Sequence, residues 1–359
     1  MTDSDMNVLF EHNCFTLTQA EKELLLLPII KHLDQLHAKH CERYATLMNA
    51  FKGAGQATKL SEMQPMVAQS FKQFTLRSVG ESEIVKTLTS SGTTSQTLSR
   101  IYLDHKTAGY QSKALVRILQ SYIGKKRLPM LIADSRNMVS NRQSFSARGA
   151  GIQGLSIFGR DHTWLFDEDM NLDINALQMF CKRYEGQPVL IFGFTYMIWE
   201  YLLQEMKRRR ITCHLPDAVL LHSGGWKKLQ DKAVNNETFK HEISNILGTE
   251  RVYNFYGMVE QTGSVFMECE KGYFHASLFS EVFARDPVSM KIKAFGESGV
   301  LQVMSALPWS YPGHNILTED EGTVFGVDDC MCGRKGAYFS VKGRFLKSES
   351  RGCSDTFVA

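Results

Sequence analysis

The spacing of apolar residues changes several times along this chain, and each change marks a predicted element. Over 18–48, Leu24, Leu27, Leu33, Leu36, Tyr44 and Leu47 recur at mostly helical intervals, and Thr18-Gln19-Ala20-Glu21 opens the run as a capping box. Gly53-Ala54-Gly55 interrupts that pattern, and a second helix is predicted over 61–74. Ile84-Val85-Lys86-Thr87-Leu88 then reads as a strand. A short strand at 101–103 and an amphipathic helix over 107–122, with Leu115, Ile118 and Leu119 on one stripe, follow it. Further β-type runs at 128–133, 189–194 and 218–222 alternate with helical patterns at 175–184 and 196–207. Such alternation predicts an α/β fold, with mixed, mainly parallel sheets covered by helices and ligands gathered beyond the strand ends.

Composition narrows the function classes. With 359 residues, 43% of them hydrophobic, the chain is long enough and apolar enough for a buried core. Its 41 basic and 38 acidic residues are too evenly matched for a nucleic-acid binder. The local exception, Lys207-Arg208-Arg209-Arg210, follows an apolar segment and reads as the solvated end of a helix. The start shows no secretory pattern, and no apolar run approaches the ~20 residues of a membrane span. Eight scattered cysteines then suggest reduced thiols in the cytoplasm, with no disulfide framework. His32, His37 and His40 lack carboxylate or cysteine neighbours at ligand spacing and are read as solvent-exposed.

Candidate chemistry lies in the loops. Thr89-Ser90-Ser91-Gly92-Thr93-Thr94-Ser95 offers hydroxyls and backbone N–H groups to an anion such as a triphosphate; a Ser/Thr turn capping a helix fits the same residues. It is no Walker A loop, because the second glycine and the Lys-Ser/Thr pair are missing. Ser223-Gly224-Gly225 ends a strand in a glycine pair that lets a flat ring approach the backbone, or that merely packs tightly. Tyr256-Gly257-Met258-Val259-Glu260 follows another strand. Its ring can stack on a base and its carboxylate can hold magnesium; a core aromatic and a solvated glutamate are the alternative. Cys269, His275, Cys330 and Cys332 make a closed tetrahedral zinc set if a tight turn at Gly272 brings the first two together, or else are ordinary reduced residues.

In their order and spacing these motifs resemble the adenylate-forming ligases. Ser90-Ser91-Gly92-Thr93-Thr94 looks like that superfamily's phosphate loop, Ser223-Gly224-Gly225 like its adenine-side loop, and Tyr256 to Glu260 like its Tyr-Gly-x-x-Glu motif. Asp320 matches the acidic residue placed on the ribose hydroxyls, and Arg344 the arginine at the domain hinge. The short lead-in and the grouping of Cys269 with Cys330 and Cys332 look most like the phenylacetate-ligase branch. Within it, Asn254-Phe255-Tyr256-Gly257-Met258-Val259-Glu260-Gln261-Thr262-Gly263-Ser264 and the closing Arg351-Gly352-Cys353-Ser354-Asp355-Thr356 are similar to the acyl-protein synthetases of bacterial luminescence, the long-chain-fatty-acid luciferin-component ligases. The resemblance implies an adenylate-forming catalytic domain over 1–340, its first 80 residues a helical lead-in, and a hinge remnant with a mobile tail over 341–359.

It also implies a function. ATP and magnesium, the latter on Glu260, activate a long-chain fatty acid as acyl-AMP, and the acyl group passes to Cys353 as a thioester. The implied partners are a fatty acid reductase subunit, which makes aldehyde for luciferase, and an acyl-transferase subunit. Related acyl-CoA ligases continue past the hinge into a domain carrying a catalytic lysine, whereas only fifteen residues follow Arg344 here. Cys353 beside Arg351 is the expected substitute acceptor. An acyl-CoA or aryl-CoA ligase and a non-catalytic nucleotide-binding subunit are the competing readings. For the acyl chain, 192–196 and 149–154 are candidate slots, and both also read as core.

Overall fold

A computed structural model describes residues 3–49, 57–90, 98–140, 147–226 and 232–345. The chain forms two compact units, one of residues 3–90, 98–122 and 256–345 and the other of residues 123–255. Among the described residues no helix is long and apolar enough to cross a membrane.

The first unit begins with helices Asp3–Glu11 and Gln19–His40. The expected capping box forms. Glu21 accepts the Thr18 backbone N–H at 2.8 Å, and the Thr18 hydroxyl accepts the Glu21 N–H at 3.4 Å. The helix expected over 18–48 is interrupted at Cys41, which is extended, and resumes as Glu42–Asn49. His40 is exposed as expected, but His37 is buried, with its ring nitrogens 2.8 Å from Ser78 Oγ and 3.0 Å from the Pro308 carbonyl. The 61–74 helix does not form. Pro65 removes a donor and disfavours helix before it, so this stretch holds a strand, β1 (Met66–Val67), and the short helix Ser70–Gln73. Strands β2 (Lys86–Thr89) and β3 (Arg100–Leu103) then pair antiparallel as a sheet of two, with Thr89 opposite Arg100. The hydroxyl run therefore follows a strand of this pair and not one of a parallel sheet. The helix expected over 107–122 is His105–Ile123.

The second unit contains β4 (Leu128–Ser135), β5 (Gly159–Phe166), β6 (Leu190–Phe194), β7 (Val219–Ser223) and β8 (Val252–Tyr256), the last ending one residue into the first unit. They are wholly parallel, in the order β5-β4-β6-β7-β8. Leu131, Ile132, Ile191, Phe192, Leu220 and Leu221 have no exposed surface. Such burial on both faces explains why these strands read as continuous apolar runs. Helices Ile174–Arg183 and Asn236–Leu247 are capped by Asp173 and Asn235, which accept the Ala176 and Thr238 N–H groups. Arg208 and Arg209 pair with Glu205 at the exposed end of Gln204–Arg209, as the basic run predicts. One expectation fails here: Cys181 and Cys213 are disulfide-bonded, with Cα atoms 6.0 Å apart. Their separation of 32 residues gave no hint of this proximity.

Back in the first unit, β9 (Phe266–Glu268), β10 (Phe274–His275), β11 (Ser280–Arg285), β12 (Ser298–Ser305), β13 (Asn315–Val327) and β14 (Ala337–Arg344) run antiparallel in the order β11-β12-β13-β14-β10-β9. β1 adds to β13 in parallel, Met66 opposite Ile316. The α/β class stands, with parallel pairing concentrated in the second unit. Tyr44, Phe71, Phe266, Ile316 and Phe339 lie in one core cluster, where Phe266 meets Phe339 edge-on at 5.2 Å. Phe339 is fully buried, so Phe339→Ala is expected to cost about 3–5 kcal/mol in a denaturant titration.

Candidate active site

In the first unit, the end of β8 and the β13–β14 pair assemble the predicted nucleotide residues. The Tyr256 hydroxyl donates to Asp320 Oδ2 at 2.6 Å. Its half-buried ring packs on Phe266, Phe274 and Phe339 at 6.0–6.3 Å, so part of it is a core aromatic. Asp320 and Arg344 are register partners across β13–β14. Burial holds the Asp320 carboxyl above the usual carboxylate range, while the Tyr256 hydrogen bond and the Arg344 charge oppose the shift. Gly257 leaves ordinary contact distance to Val265, so the space there does not itself demand glycine.

Glu260 lies in the single turn Val259–Gln261 and is buried, not solvated. Burial pushes its carboxyl pKa up. The Ser99 side chain and the Lys72 and Arg344 charges work against this. Those two cations share a partner in Glu319, which lies 3.6 Å from Lys72 and 3.3 Å from Arg344 and accepts a 2.6 Å hydrogen bond from Gln69. Lys72 and Arg344 each keep about a third of their side-chain surface exposed, enough to meet an anion.

At the end of β2, the Ser90 N–H donates to the Ser99 carbonyl at 3.1 Å, and the Ser99 N–H donates back to Ser90 Oγ at 3.0 Å. This double clasp closes the base of the hydroxyl run. Ser91, Gly92, Thr93 and Thr94 lie outside the described residues, as does Cys353. Sequence reasoning missed Ser99, Lys72 and Gln69, and placed no role on Glu319. Lys72 and Gln69 sit in the stretch misread as one long helix, and Ser99 acts through a pairing that spacing does not reveal.

In the second unit, Ser223 ends β7 and donates through Oγ to the Phe255 carbonyl at 2.8 Å. Gly224 has φ +86°, a left-handed conformation that favours glycine, and a Cβ on Gly225 would meet nothing within 4 Å. The loop therefore begins with a left-handed glycine and continues with a second glycine whose Cβ position is open. The proposed acyl slot at 192–196 is core instead. All five residues are buried, and a Cβ on Gly193 would lie 2.7 Å from Ala133.

A separate cluster forms in the first unit, where Cys269, His275, Cys330 and Cys332 place one sulfur or nitrogen each within 4.8 Å of the others. Gly272, with φ +82°, makes the expected turn between Cys269 and His275.

The fold is that of an adenylate-forming ligase domain. A 2-hydroxyisobutyryl-CoA ligase, solved in an open conformation with 2-HIB-AMP and CoA, superposes with a TM-score of 0.69 at 15% identity, over 92% of this chain and 76% of that one. By sequence, the chain belongs to the LuxE acyl-protein synthetase family, whose model matches residues 2–359. A long-chain-fatty-acid–luciferin-component ligase of Vibrio harveyi is 22% identical over 193 residues, 52% of this chain and 49% of that ligase. Its counterpart in Aliivibrio fischeri is 28% identical over 161 residues, 44% and 42% of the respective chains. Each match thus spans about half or less of the ligase concerned.

The raised pKa of Glu260 has a testable sign. A carboxyl whose folded pKa exceeds its unfolded value adds stability below the unfolded value and loses it as pH rises through the folded one. Ligand-free Glu260→Gln should therefore melt above the native protein at pH 8, and the gap should shrink as pH falls through the carboxylate range. Thermal melts at several pH values would show it, and a gap that widens toward acid would contradict the assignment.

Proposed function

We propose that this protein activates a long-chain fatty acid with ATP and transfers the acyl group to its own Cys353, for delivery to a fatty acid reductase that makes aldehyde for luciferase. The observation that carries this reading is the Tyr256–Asp320–Arg344 constellation beside buried Glu260, in a chain that matches the acyl-protein synthetase family over nearly its whole length.

The chemistry has two displacements. A carboxylate oxygen of the fatty acid attacks the α-phosphorus of ATP, a new P–O bond forms, and the bond to the β-phosphate oxygen breaks to release pyrophosphate. The Cys353 thiolate then attacks the acyl carbon, and the bond to AMP breaks. No general base is needed in the first step, since the acid is already ionised near neutral pH. On this reading Asp320 takes the ribose hydroxyls, Lys72 and Arg344 meet phosphate charge, and Ser223, Gly224 and Gly225 serve the adenine. Magnesium, which Glu260 is suited to hold, would offset charge on the triphosphate, together with the hydroxyl donors of the run from Ser90 to Thr94. An oxygen-only donor set matches that hard cation.

Two assays separate the steps. Pyrophosphate exchange with a long-chain fatty acid reads adenylation, and a gel with labelled fatty acid reads the acyl-protein. Cys353→Ala is expected to keep exchange and lose the hydroxylamine-sensitive label, whereas Glu260→Gln should lose both by about a hundredfold. Label retained on Cys353→Ala would refute the acceptor, and label passed only to coenzyme A would favour an acyl-CoA ligase.

A further inference from the structure

The Cys269–His275–Cys330–Cys332 cluster lies outside the proposed acyl chemistry, and two similar local turns build it. In the first, Lys271 N–H donates to Cys269 Sγ at 3.4 Å and Gly272 N–H to the Cys269 carbonyl at 2.9 Å. In the second, Arg334 N–H donates to Cys332 Sγ at 3.4 Å and Gly333 N–H to the Cys330 carbonyl at 2.9 Å. Gly272 and Gly333 both have φ +82°, which a side chain would strain. Each turn thus aims one backbone donor at a sulfur and fixes where that sulfur points.

The two turns face each other. Cys269 and Cys330 sulfurs are 4.0 Å apart, and Cys332 Sγ is 3.3 Å from His275 Nε2. Zinc bound at ~2.3 Å to sulfur and ~2.0 Å to nitrogen puts tetrahedral ligand atoms roughly 3.5–3.8 Å from one another, so closure needs only small shifts. The buried ring of His275 supplies a second argument. Its Nε2 is held in the cluster with a sulfur, Cys332 Sγ, as its hydrogen-bonding neighbour, a poor exchange for water unless something binds there. Arg334 and Glu270 pair at 2.5 and 3.0 Å and tie the two turns together from outside.

We propose that these four residues hold one structural zinc ion. All four positions come from the protein, so none is left for substrate or water, and the ion acts as a staple. It joins the β9–β10 turn to the connection between β13 and β14, the strands that carry Asp320 and Arg344.

Elemental analysis of the full-length protein, purified without chelator, should find one zinc per chain. Cys332→Ser and Cys269→Ser should retain less than a tenth of it, while Cys41→Ser, a buried thiol elsewhere, should retain it all. Because a ligand variant can misfold, the native chain supplies an independent reading. Growth or exchange with cobalt(II) should give the strong visible bands of a tetrahedral site and a thiolate-to-cobalt charge-transfer band, and a mercurial should release the metal stoichiometrically. Native protein without stoichiometric metal, a cobalt spectrum without the thiolate band, or full zinc in Cys332→Ser would each overturn the proposal. None of these readouts depends on acyl transfer.

Discussion

Antiparallel pairing between β13 and β14 is the constraint on which the first unit depends. Side chains alternate faces along a strand, so a slip of one residue would turn Asp320 away from Tyr256 and move Arg344 off its partner. The ladder is not regular. Its register shifts between Glu321 and Gly322 and again between Val324 and Gly326. A Cβ on Gly322 would lie 2.4 Å from the Ser340 carbonyl, so the close approach at the first shift requires glycine. These irregularities let one strand pair place Asp320 and Arg344 at one end, and the Cys330–Cys332 turn at the other.

Electrostatics then divides the acidic residues by burial. Glu260 and Asp320 are both shifted toward their neutral forms, chiefly by desolvation, whereas Glu319, one strand position from Asp320, stays close to Lys72 and Arg344. Buried carboxylates that resist ionisation are poor resting anions but good sites for a cation or a hydrogen-bonded hydroxyl, because the ligand relieves the cost of their charge. Lys72 and Arg344, each about a third exposed and both close to Glu319, are arranged the opposite way. An incoming polyphosphate can compete with Glu319 for these two cations, while Gln69 keeps its hydrogen bond to the Glu319 carboxylate. For the proposed reaction this separates a metal and ribose side from a phosphate side within a single unit.

The parts of this fold legible in the sequence were those written in local chemistry. Thr18 and Glu21 announced their capping box, and the apolar runs at 128–133, 189–194 and 218–222 announced buried parallel strands. What could not be read was pairing. Nothing near Ile84 to Leu88 says that its strand meets Arg100–Leu103 in an antiparallel pair, and nothing near Cys181 points to Cys213. His37 misled for a related reason. Its burial comes from Ser78 and Pro308, 41 and 271 residues away. In the candidate site, Tyr256, Glu260, Asp320 and Arg344 belong to an ordered motif, whereas Ser99 and Lys72 belong to none and bear on the Glu260 carboxyl only through the tertiary fold.

The Ser90–Ser99 clasp shows how one residue can be both framework and ligand. A serine hydroxyl has one proton to give and two lone pairs to receive with. Ser90 Oγ spends a lone pair on the Ser99 N–H, which orients the side chain at the base of the hydroxyl run and leaves its proton for another acceptor. A phosphate oxygen would be such an acceptor, and it would meet a donor already held in place rather than one that loses rotational freedom on binding. Ser99, buried at this clasp and beside Glu260, links the geometry of the loop base to the surroundings of the metal-binding candidate. Alanine at position 90 would therefore remove an anchor and a donor together. Loss of activity in such a variant would not separate the two roles, whereas a change confined to the Ser99 side chain would leave the backbone clasp intact and act mainly through Glu260.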